Sequence, residues 1–295
     1  AIVFISSFSF FGMKAIPGGP FASEKALPPK VLENLNKKYH LDDPLMKQYK
    51  DYMLGLARGD FGPSFKYPDR TINDIIKDGF PASAILGAIS VLLSLALGLL
   101  AGIISALKQN KWQDHGAMIL ATIGFSVPSF VLAALLQYVF SYKLGWVVPA
   151  MWGTWQQTIL PSLALAALPT ATIARLMRSS MLEVLQQDYI RTAKAKGLKE
   201  RVIIYRHAIR NSIMPVITYL GPLVAATFTG SFVVEHIFAI PGLGRSFVSA
   251  VFNRDYTMTM GLTIFYSLFL MIMNLVVDLS YAMVDPRVKL TGGKE

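Results

Sequence analysis

Histidine, serine and glycine are the residue types that would carry catalysis or nucleotide binding in this 295-residue chain, and their spacing argues against each. The four histidines, His40, His115, His207 and His236, lack the spacing of the zinc-binding His-Glu-x-x-His pattern. No serine lies in the Gly-x-Ser-x-Gly turn of serine hydrolases. No Gly-x-x-x-x-Gly-Lys-Ser/Thr loop is present to hold the phosphates of ATP. The sequence therefore predicts no enzyme active site, no metal site and no nucleotide bound by this chain.

Asp278 is the one acidic or basic residue inside the last apolar run, residues 258–284, and Asn274 lies one helical turn before it. A carboxylate at membrane depth has to be paired, protonated or turned toward a cavity. Asp278 could therefore couple transport to protons, as in a secondary transporter. The favoured interpretation is a polar contact between helices near the membrane surface.

Residues 188–211 are basic and partly amphipathic and lie between two long apolar runs. On a helical wheel Leu198, Val202, Tyr205 and Ile209 share one face, which we expect to pack on apolar surface. Gly197 interrupts the pattern, and glycine takes positive φ freely. The stretch therefore predicts two short helices that meet at an angle, an elbow that a soluble partner could grip.

The composition is that of a membrane protein. Hydrophobic residues make up 53% of the chain and charged residues 16%, whereas soluble proteins carry roughly a quarter charged residues. The net charge is +10, and positive charge flanks the apolar runs, a pattern that orients membrane proteins rather than one that binds nucleic acid. The absence of cysteine excludes disulfides and thiolate metal sites.

Six crossings account for the apolar runs. Residues 1–16 contain a run too short to span about 30 Å of hydrocarbon, which predicts a first helix truncated at its N-terminus. The alternative is the hydrophobic region of a signal peptide. Five longer runs follow, one of them with Gly98 and Gly102 in a GxxxG pattern that permits close helix approach. These runs are residues 84–107, 117–142, 158–177, 213–234 and 258–284.

Charge orients the crossings. Nine Lys and Arg against three acidic residues occur between Arg175 and Arg210, so this loop is predicted to be cytoplasmic. Residues 17–83 then form a helical extracytoplasmic loop, with a capping pattern at Thr71 and Asp74. The fold class is an all-α integral membrane protein. Its domains are residues 1–16, residues 17–83, and a five-helix core, 84–295, that includes the cytoplasmic loop 179–212.

A second irregular segment, residues 235–257, is assigned to the outer side. Pro241, Gly242 and Gly244 force turns, and the apolar residues around them suggest a re-entrant segment rather than a free loop. Such a segment could close the outer end of a pathway, contact a substrate-delivery protein, or simply cap the helices.

The sequences of these segments resemble those of the permease subunits of ABC importers. Residues 189–198, Tyr-Ile-Arg-Thr-Ala-Lys-Ala-Lys-Gly-Leu, are similar to the coupling loop of the oligopeptide and dipeptide group, with Ala193 and Gly197 on the matching Ala and Gly. Arg191 and Thr192 replace the leading Glu-Ala of the general pattern. Residues 59–64 and 235–244 match further segments of the group. Within the group, this chain most resembles the first permease subunit of oligopeptide importers.

The resemblance implies roles for two sets of residues. The coupling set would dock into a groove of an ATP-binding subunit, and it comprises Arg191, Thr192, Ala193, Lys194, Ala195, Lys196, Gly197 and Leu198. The outer set would form a gate or contact the delivery protein, and it comprises Glu235, Phe238, Pro241, Gly242 and Gly244. The residues lining the substrate cavity are not identified.

The resemblance also implies a multi-pass permease in the bacterial cytoplasmic membrane that imports oligopeptides by alternating access. Its partners would be a homologous second permease, two ATP-binding subunits that carry ATP and Mg, and an extracytoplasmic peptide-binding protein. Dipeptide, nickel and glutathione importers share these motifs. A proton-coupled transporter using Asp278 and a structural membrane protein are the alternatives from other classes.

Overall fold

The computed structural model describes residues 1–17, 19–21, 28–67 and 69–284, and the side chains of these except 277, 278 and 280–284. Every helix or strand element in these residues is helical, which confirms the all-α class. Two π-helical turns, Gln137–Lys143 and Ile203–Ile209, interrupt the α-helical pattern. The α-helices are α1 Ile2–Ala15, α2 Pro29–Lys38, α3 Leu45–Ala57, α4 Ile72–Leu107, α5 Trp112–Ser126, α6 Ser129–Leu136, α7 Gln156–Leu185, α8 Asp188–Ala195, α9 Glu200–Val202, α10 Arg210–Ser212, α11 Met214–Phe228, α12 Phe232–Ile237, α13 Leu243–Phe252 and α14 Tyr256–Val284.

Four helices of the described residues are long and apolar enough to cross a membrane: Ile72–Leu107, Gln156–Leu185, the broken helix Met214–Ile237, and Tyr256–Val276. A bent pair, Trp112–Ser126 with Ser129–Lys143, adds a fifth if it counts as one span, and α1 is a shorter apolar helix. These six elements correspond one by one to the six apolar runs of the sequence. The chain is therefore an integral membrane protein.

Helix α4 differs from the sequence prediction in its start. We expected a short surface helix after Thr71 and a separate span at residues 84–107, but one helix of 36 residues runs through both and through Pro81. The predicted cap is confirmed, since the Thr71 hydroxyl accepts from the Asp74 N–H and the Asp74 carboxylate accepts from the Thr71 N–H. The helix continues because Ile72 and Ile75 pack with Leu243, Met258 and Leu262 in a buried cluster.

The run 117–142 is bent at Pro128, where we expected a single span. Helices α5 and α6 meet at 103°, with Val127 and Pro128 in extended conformation between them. The pyrrolidine ring disfavours helical backbone at the preceding residue, which accounts for the break at Val127. Pro161 and Pro169, by contrast, lie inside the continuous helix α7 and are buried there.

The centre of the molecule is the packing of α4 against α7, which the GxxxG pair makes possible. A Cβ added at Gly98 would lie 2.8 Å from the Ile173 Cβ, and one at Gly102 would lie 2.7 Å from the Ala174 carbonyl oxygen. The absence of side chains at both positions therefore lets the two backbones approach. The close approach predicted from the sequence is confirmed, and α7 is the partner.

Alanine at Gly102 is expected to lower the free energy of unfolding by about 1–3 kcal/mol, because its methyl group overlaps α7 backbone. Gly116 in α5 is the matched control, since a Cβ there meets nothing within 4 Å. Gly116→Ala should be neutral or stabilise by about 0.5–1 kcal/mol through helix propensity. Thermal unfolding in detergent measures both variants, and equal effects would contradict the packing argument.

Candidate functional site

The basic stretch forms the predicted elbow. Helix α8 ends at Ala195, Gly197 has φ of +71°, and the chain turns into α9. The Leu198 N–H donates to the Ala193 carbonyl and the Gly197 N–H to the Lys194 carbonyl, the two bonds of a Schellman turn. Only glycine adopts this left-handed backbone without strain. The break predicted at Gly197 is confirmed.

The inner side of the elbow is a small apolar cluster. Ile190 and Ala193 of α8 pack on Ile203, and all three are buried. The Asn211 side-chain amide donates to the Tyr189 hydroxyl at 3.1 Å, which ties the start of α8 to the end of the second arm. The two arms therefore form a braced unit rather than a hinge.

The predicted coupling residues divide between the two sides of this unit. Ala193 faces inward, where it holds the arms together and cannot touch a partner directly. The other seven, Arg191, Thr192, Lys194, Ala195, Lys196, Gly197 and Leu198, are exposed on the outside of the elbow.

Of the apolar face drawn from the helical wheel, only Ile209 packs on this chain, against the cluster that contains Met177 and Ala208. Leu198 is 41% exposed, Val202 37% and Tyr205 72%, while Ile203 and Ala208 are buried instead. The wheel is wrong here because Leu198 precedes α9 and residues 203–209 wind as a π-helix, whose wider turn shifts which side chains face inward. The elbow therefore presents an exposed surface, which we call the elbow face: Tyr189, Leu198, Val202 and Tyr205.

Positive charge surrounds the elbow face. Arg191 and Asp188 form the one ion pair among the described residues 188–212, at 3.5 Å, and both side chains are at least three-quarters exposed. Such a pair contributes about 0–1 kcal/mol. The remaining basic side chains, Lys194, Lys196, Lys199, Arg201, Arg206 and Arg210, keep their charge available to an acidic partner surface.

The segment predicted to lie on the outer side is a helical hairpin of α12 and α13 built around Glu235. This side chain is fully buried. Its carboxylate accepts from the Ser83 hydroxyl at 2.8 Å and the Arg245 N–H at 3.2 Å. The Ser83 oxygen in turn accepts from the Leu243 N–H at 2.9 Å. Glu235 therefore joins α4 to the first turn of α13, whose free N–H groups suit an anion.

Glycines make room for this carboxylate. A Cβ at Gly230 would lie 2.5 Å from the Glu235 Oε1 atom, and one at Gly242 would overlap Oε2. Phe238 is buried in the apolar cluster beside α6 and α7. Of the predicted outer set, Glu235, Phe238, Gly242 and Gly244 are thus enclosed within the chain, where a delivery protein cannot reach them. Pro241 alone of the five is exposed.

Two buried carboxylates were not singled out from the sequence. The Arg178 guanidinium of α7 donates two hydrogen bonds to the Asp114 carboxylate at the start of α5, both with N–O distances of 2.7 Å. The Ser105 hydroxyl of α4 donates to the same carboxylate. Three helices meet at this ion pair. No local pattern marks Asp114, because an arginine at the end of an apolar run such as Arg178 is also expected from the positive charge that flanks membrane helices.

Asp255 performs a similar role at the start of α14. It accepts from the Met258 N–H at 3.1 Å as a helix cap, and from the Ser64 hydroxyl at 2.5 Å and the Lys66 N–H at 3.3 Å. The segment 64–66 is thereby attached to α14. Because the contact spans 191 positions of sequence, local patterns carry no sign of it.

Asp278 lies in α14, but its side chain is outside the described residues. Among the described residues, no group of three or more His, Asp or Glu side chains is placed to hold a metal ion.

Comparison with known proteins places the chain among transport components. A family profile described as binding-protein-dependent transport system inner membrane component matches residues 98–290. The dipeptide transport system permease protein DppB of Bacillus subtilis is 50% identical over 289 residues, covering 98% of this chain and 94% of that protein. The oligopeptide transport system permease protein OppB of Salmonella typhimurium is 47% identical, covering 95% and 92%.

Solved structures share the fold at low sequence identity. An inward-facing structure of the MetNI methionine ABC transporter superposes with a TM-score of 0.61 at 13% identity, covering 72% of this chain and 96% of that chain. A crystal structure titled as an amino acid ABC transporter with histidines gives 0.57 at 16% identity, covering 72% and 94%.

Removing the Glu235 carboxylate should destabilise the hairpin. Glu235→Ala leaves the Ser83 hydroxyl and the Arg245 N–H buried without an acceptor, so we expect a loss of about 2–4 kcal/mol in the free energy of unfolding. Glu235→Gln keeps the volume and one acceptor oxygen and should cost less. Glu33→Ala on the exposed face of α2 is the control. Equal melting temperatures for Glu235→Ala and Glu33→Ala would contradict the bracing role.

Proposed function

The chain belongs to the binding-protein-dependent transport system inner membrane component family, and on that premise we propose that it is a permease subunit of an ATP-driven peptide importer. As a member of this family it is a transport component of the cytoplasmic membrane that works with other ABC subunits. The finer assignments of cargo, partners and docking surface are proposals, each with its own support.

Peptide is the proposed cargo. The relatives that support it are named as dipeptide and oligopeptide permeases, with 46–50% identity across nearly the whole chain. Oligopeptides and dipeptides both fit this similarity, because DppB and OppB are almost equally close. The energy source is proposed to be ATP held with Mg on two separate subunits, since the chain has no phosphate-binding loop. A second permease and an extracytoplasmic binding protein complete the proposed assembly.

The elbow face is the single observation that carries the docking proposal. Tyr205 is 72% exposed and is flanked by Val202 and by Arg201 and Arg206. An apolar surface ringed with charge is typical of a protein interface rather than of a free loop. We infer that a groove of the ATP-binding subunit covers it. The exposed basic residues then favour an acidic rim on that groove.

Motion of the elbow would reach the membrane helices through packed contacts. Ile203 packs with α8, and Ala208 packs in a cluster with Met177 of α7 and Val216 of α11. Only Ile213 separates α10 from α11. Because α7 is closely packed on α4, displacement of the elbow is expected to carry α7, α11 and α4 together. Alternating access follows if ATP binding moves the elbows of two permease subunits relative to each other.

Strain at the Gly197 turn should uncouple motion of the elbow from motion of the membrane helices. Gly197→Val forces a branched residue into φ of +71°, so we expect the elbow to unwind and ATP-dependent peptide uptake to fall at least about tenfold. Uptake of a radiolabelled dipeptide into proteoliposomes, with binding protein and ATP, measures it.

Gly145→Val is the matched control, because Gly145 has φ of +64°, is exposed, and a Cβ there meets nothing within 4 Å. It imposes the same backbone strain away from the elbow and should leave uptake near that of the wild type. Full uptake by Gly197→Val, with the protein inserted in normal amount, would contradict the proposal that the elbow transmits motion to the membrane helices.

Cross-linking tests the docking surface directly, because the chain contains no cysteine of its own. A single Cys in place of Tyr205 should cross-link to an ATP-binding subunit that carries cysteines around its groove, since that side chain lies on the elbow face. Tyr67 is 42% exposed and belongs to the loop 17–83, which is predicted to lie on the extracytoplasmic side. Tyr67→Cys should therefore not cross-link to the ATP-binding subunit. Cross-linking of both variants, or of neither under any nucleotide condition, would refute the docking proposal.

A further inference from the structure

The break between α5 and α6 lies at the depth of the membrane centre. The two helices meet at 103°, and a Cβ added at Gly124, in the last turn of α5, would lie 3.2 Å from the Ala167 carbonyl oxygen. Ala167 is in the middle of the apolar run 158–177 of α7. Helix rise places it about 16 Å from Arg178, just beyond the end of that run, in a hydrocarbon layer about 30 Å thick. Hydrocarbon would therefore surround the break if lipid covered it.

The backbone at this break has polar groups that no described residue satisfies. Pro128 has no N–H to donate to the Gly124 carbonyl. Regular hydrogen bonding ends with the Val127 N–H and resumes with the Val131 N–H. The groups left without a partner among the described residues are the carbonyls of Gly124, Phe125 and Ser126 and the N–H groups of Ser129 and Phe130. Each needs a hydrogen bond from outside this chain.

The break is open to its surroundings. The Phe125 side chain is 57% exposed and that of Phe130 48%, and Ser126 between them is exposed as well. Lipid chains offer neither donors nor acceptors, so irregular backbone at membrane depth occurs only where protein covers it or where it lines a water-filled cavity. Lipid is therefore excluded from the face of the subunit that carries the break.

Arg175 of α7 excludes lipid from the same face independently. Its side chain is exposed, its guanidinium carbon lies 4.4 Å from the centre of the Phe125 ring, and its Nε–H donates to the Ala171 carbonyl at 3.4 Å. Helical side chains tilt toward the N-terminus of their helix, so this one points away from the Arg178 end of α7 and into the span. Unlike Arg178, it has no carboxylate partner among the described residues. An arginine directed into hydrocarbon is costly, whereas water or an anion stabilises it.

Polar side chains continue along this face of α7, whereas an open face of α4 has none. Thr172, Arg175 and Ser179 follow one another at intervals of one helical turn, and all three are exposed or half-buried. On α4 every exposed residue between positions 84 and 107 is apolar, as a surface that contacts lipid requires: Ile85, Leu92, Ala96, Leu97, Leu100, Ile104 and Leu107. The two faces therefore suit different surroundings.

Water satisfies this face more simply than a protein does. A covering subunit would have to supply a donor or acceptor for each open backbone group and an anion for Arg175, whereas water supplies all of them at once. We propose that the break face, which comprises Ser126, Thr172, Arg175 and Ser179, lines the water-filled pathway of the transporter, and that Arg175 binds the carboxylate of the passing cargo. The water follows from the backbone and Arg175 alone. The carboxylate rests on the proposed function, since every free peptide ends in one.

Cysteine labelling tests whether water reaches the break face. The chain has no cysteine of its own, so single cysteines can be labelled with a charged, membrane-impermeant methanethiosulfonate in the assembled complex in nanodiscs, without binding protein or cargo. Ser126→Cys should react at least about tenfold faster than Leu92→Cys, because the reactive thiolate forms in water and not in hydrocarbon. Leu92 is the matched control, since it is 67% exposed on the apolar face of α4.

Equally slow labelling of Ser126→Cys and Leu92→Cys, both with ATP and without nucleotide, overturns the proposal. That result would mean that another subunit covers the break. Equally fast labelling of both also overturns it, because water would then reach the apolar face of α4 as readily as the break.

Protection of Ser126→Cys tests the carboxylate. Leucyl-leucine should slow its labelling at concentrations about tenfold lower than leucyl-leucine amide does, because the amide lacks the charge that Arg175 binds. In Arg175→Gln the two peptides should protect equally. Arg58→Gln is the control, since it removes one exposed positive charge outside the spans and should leave the tenfold difference in place.

Two outcomes overturn the carboxylate site: no protection by leucyl-leucine while Arg175 is present, and an undiminished preference for leucyl-leucine in Arg175→Gln. Failure of the proposed function gives a different result. Peptide uptake by the wild-type complex would then be absent, while the labelling rates of Ser126→Cys and Leu92→Cys would still decide whether water reaches the break face.

Discussion

A carboxylate withdrawn from water must be given donors, and this requirement fixes how the helices of this protein meet. Asp114, Glu235 and Asp255 are all buried, and each collects its donors from elements far apart in the chain. Loss of any one donor leaves charge uncompensated in a medium of low dielectric constant, which costs far more than a surface contact. The three groups therefore specify which helix ends belong together, and the apolar clusters and glycine contacts pack the helices along their length.

The contacts that join α4, α7 and α5 differ in kind from the contacts that join the elbow to these helices. Gly98 and Gly102 let α4 and α7 approach closely, and the two helices form one tightly packed body. Arg178 extends that body to α5 through Asp114. The elbow, by contrast, contacts α7 through the apolar side chains of Ala208 and Ile209 and through the weak contact of the Ser212 hydroxyl with the Met177 sulfur. Apolar packing of this kind tolerates sliding better than a bidentate ion pair does.

The sequence predicted elements well where chain-local chemistry decides them. The apolar runs, the capping pair at Thr71 and the turn at Gly197 depend on neighbours within a few residues, and all three are present. The GxxxG pair predicted a close helix approach but not its partner, α7. The sequence failed where tertiary contacts override local pattern. Helix α4 extends to Ile72 because its first turns pack on α13 and α14. The break at Pro128 has a local cause, the proline ring, and was missed because the apolar run alone was used to predict a single span.

The candidate site was predicted in position but not in detail. The elbow and the outer hairpin occur where the motifs indicated, yet Ala193 and Glu235 face the interior. A motif match identifies a residue, but it does not tell whether the side chain contacts a partner protein or packs inside its own chain. Asp114 and Asp255 escaped notice because their partners, Arg178 and Ser64, are distant in the chain.

The π-helical turn at Ile203–Ile209 has a consequence for comparing sequences across the family. A π-turn holds one residue more than the α-helical turn it replaces, so it can lose that residue by rewinding while both flanking helices keep their direction. Relatives that are one residue shorter in this stretch would then present the same elbow with different side chains outward. A gap at this position in an alignment would then reflect a change in winding rather than a shorter arm.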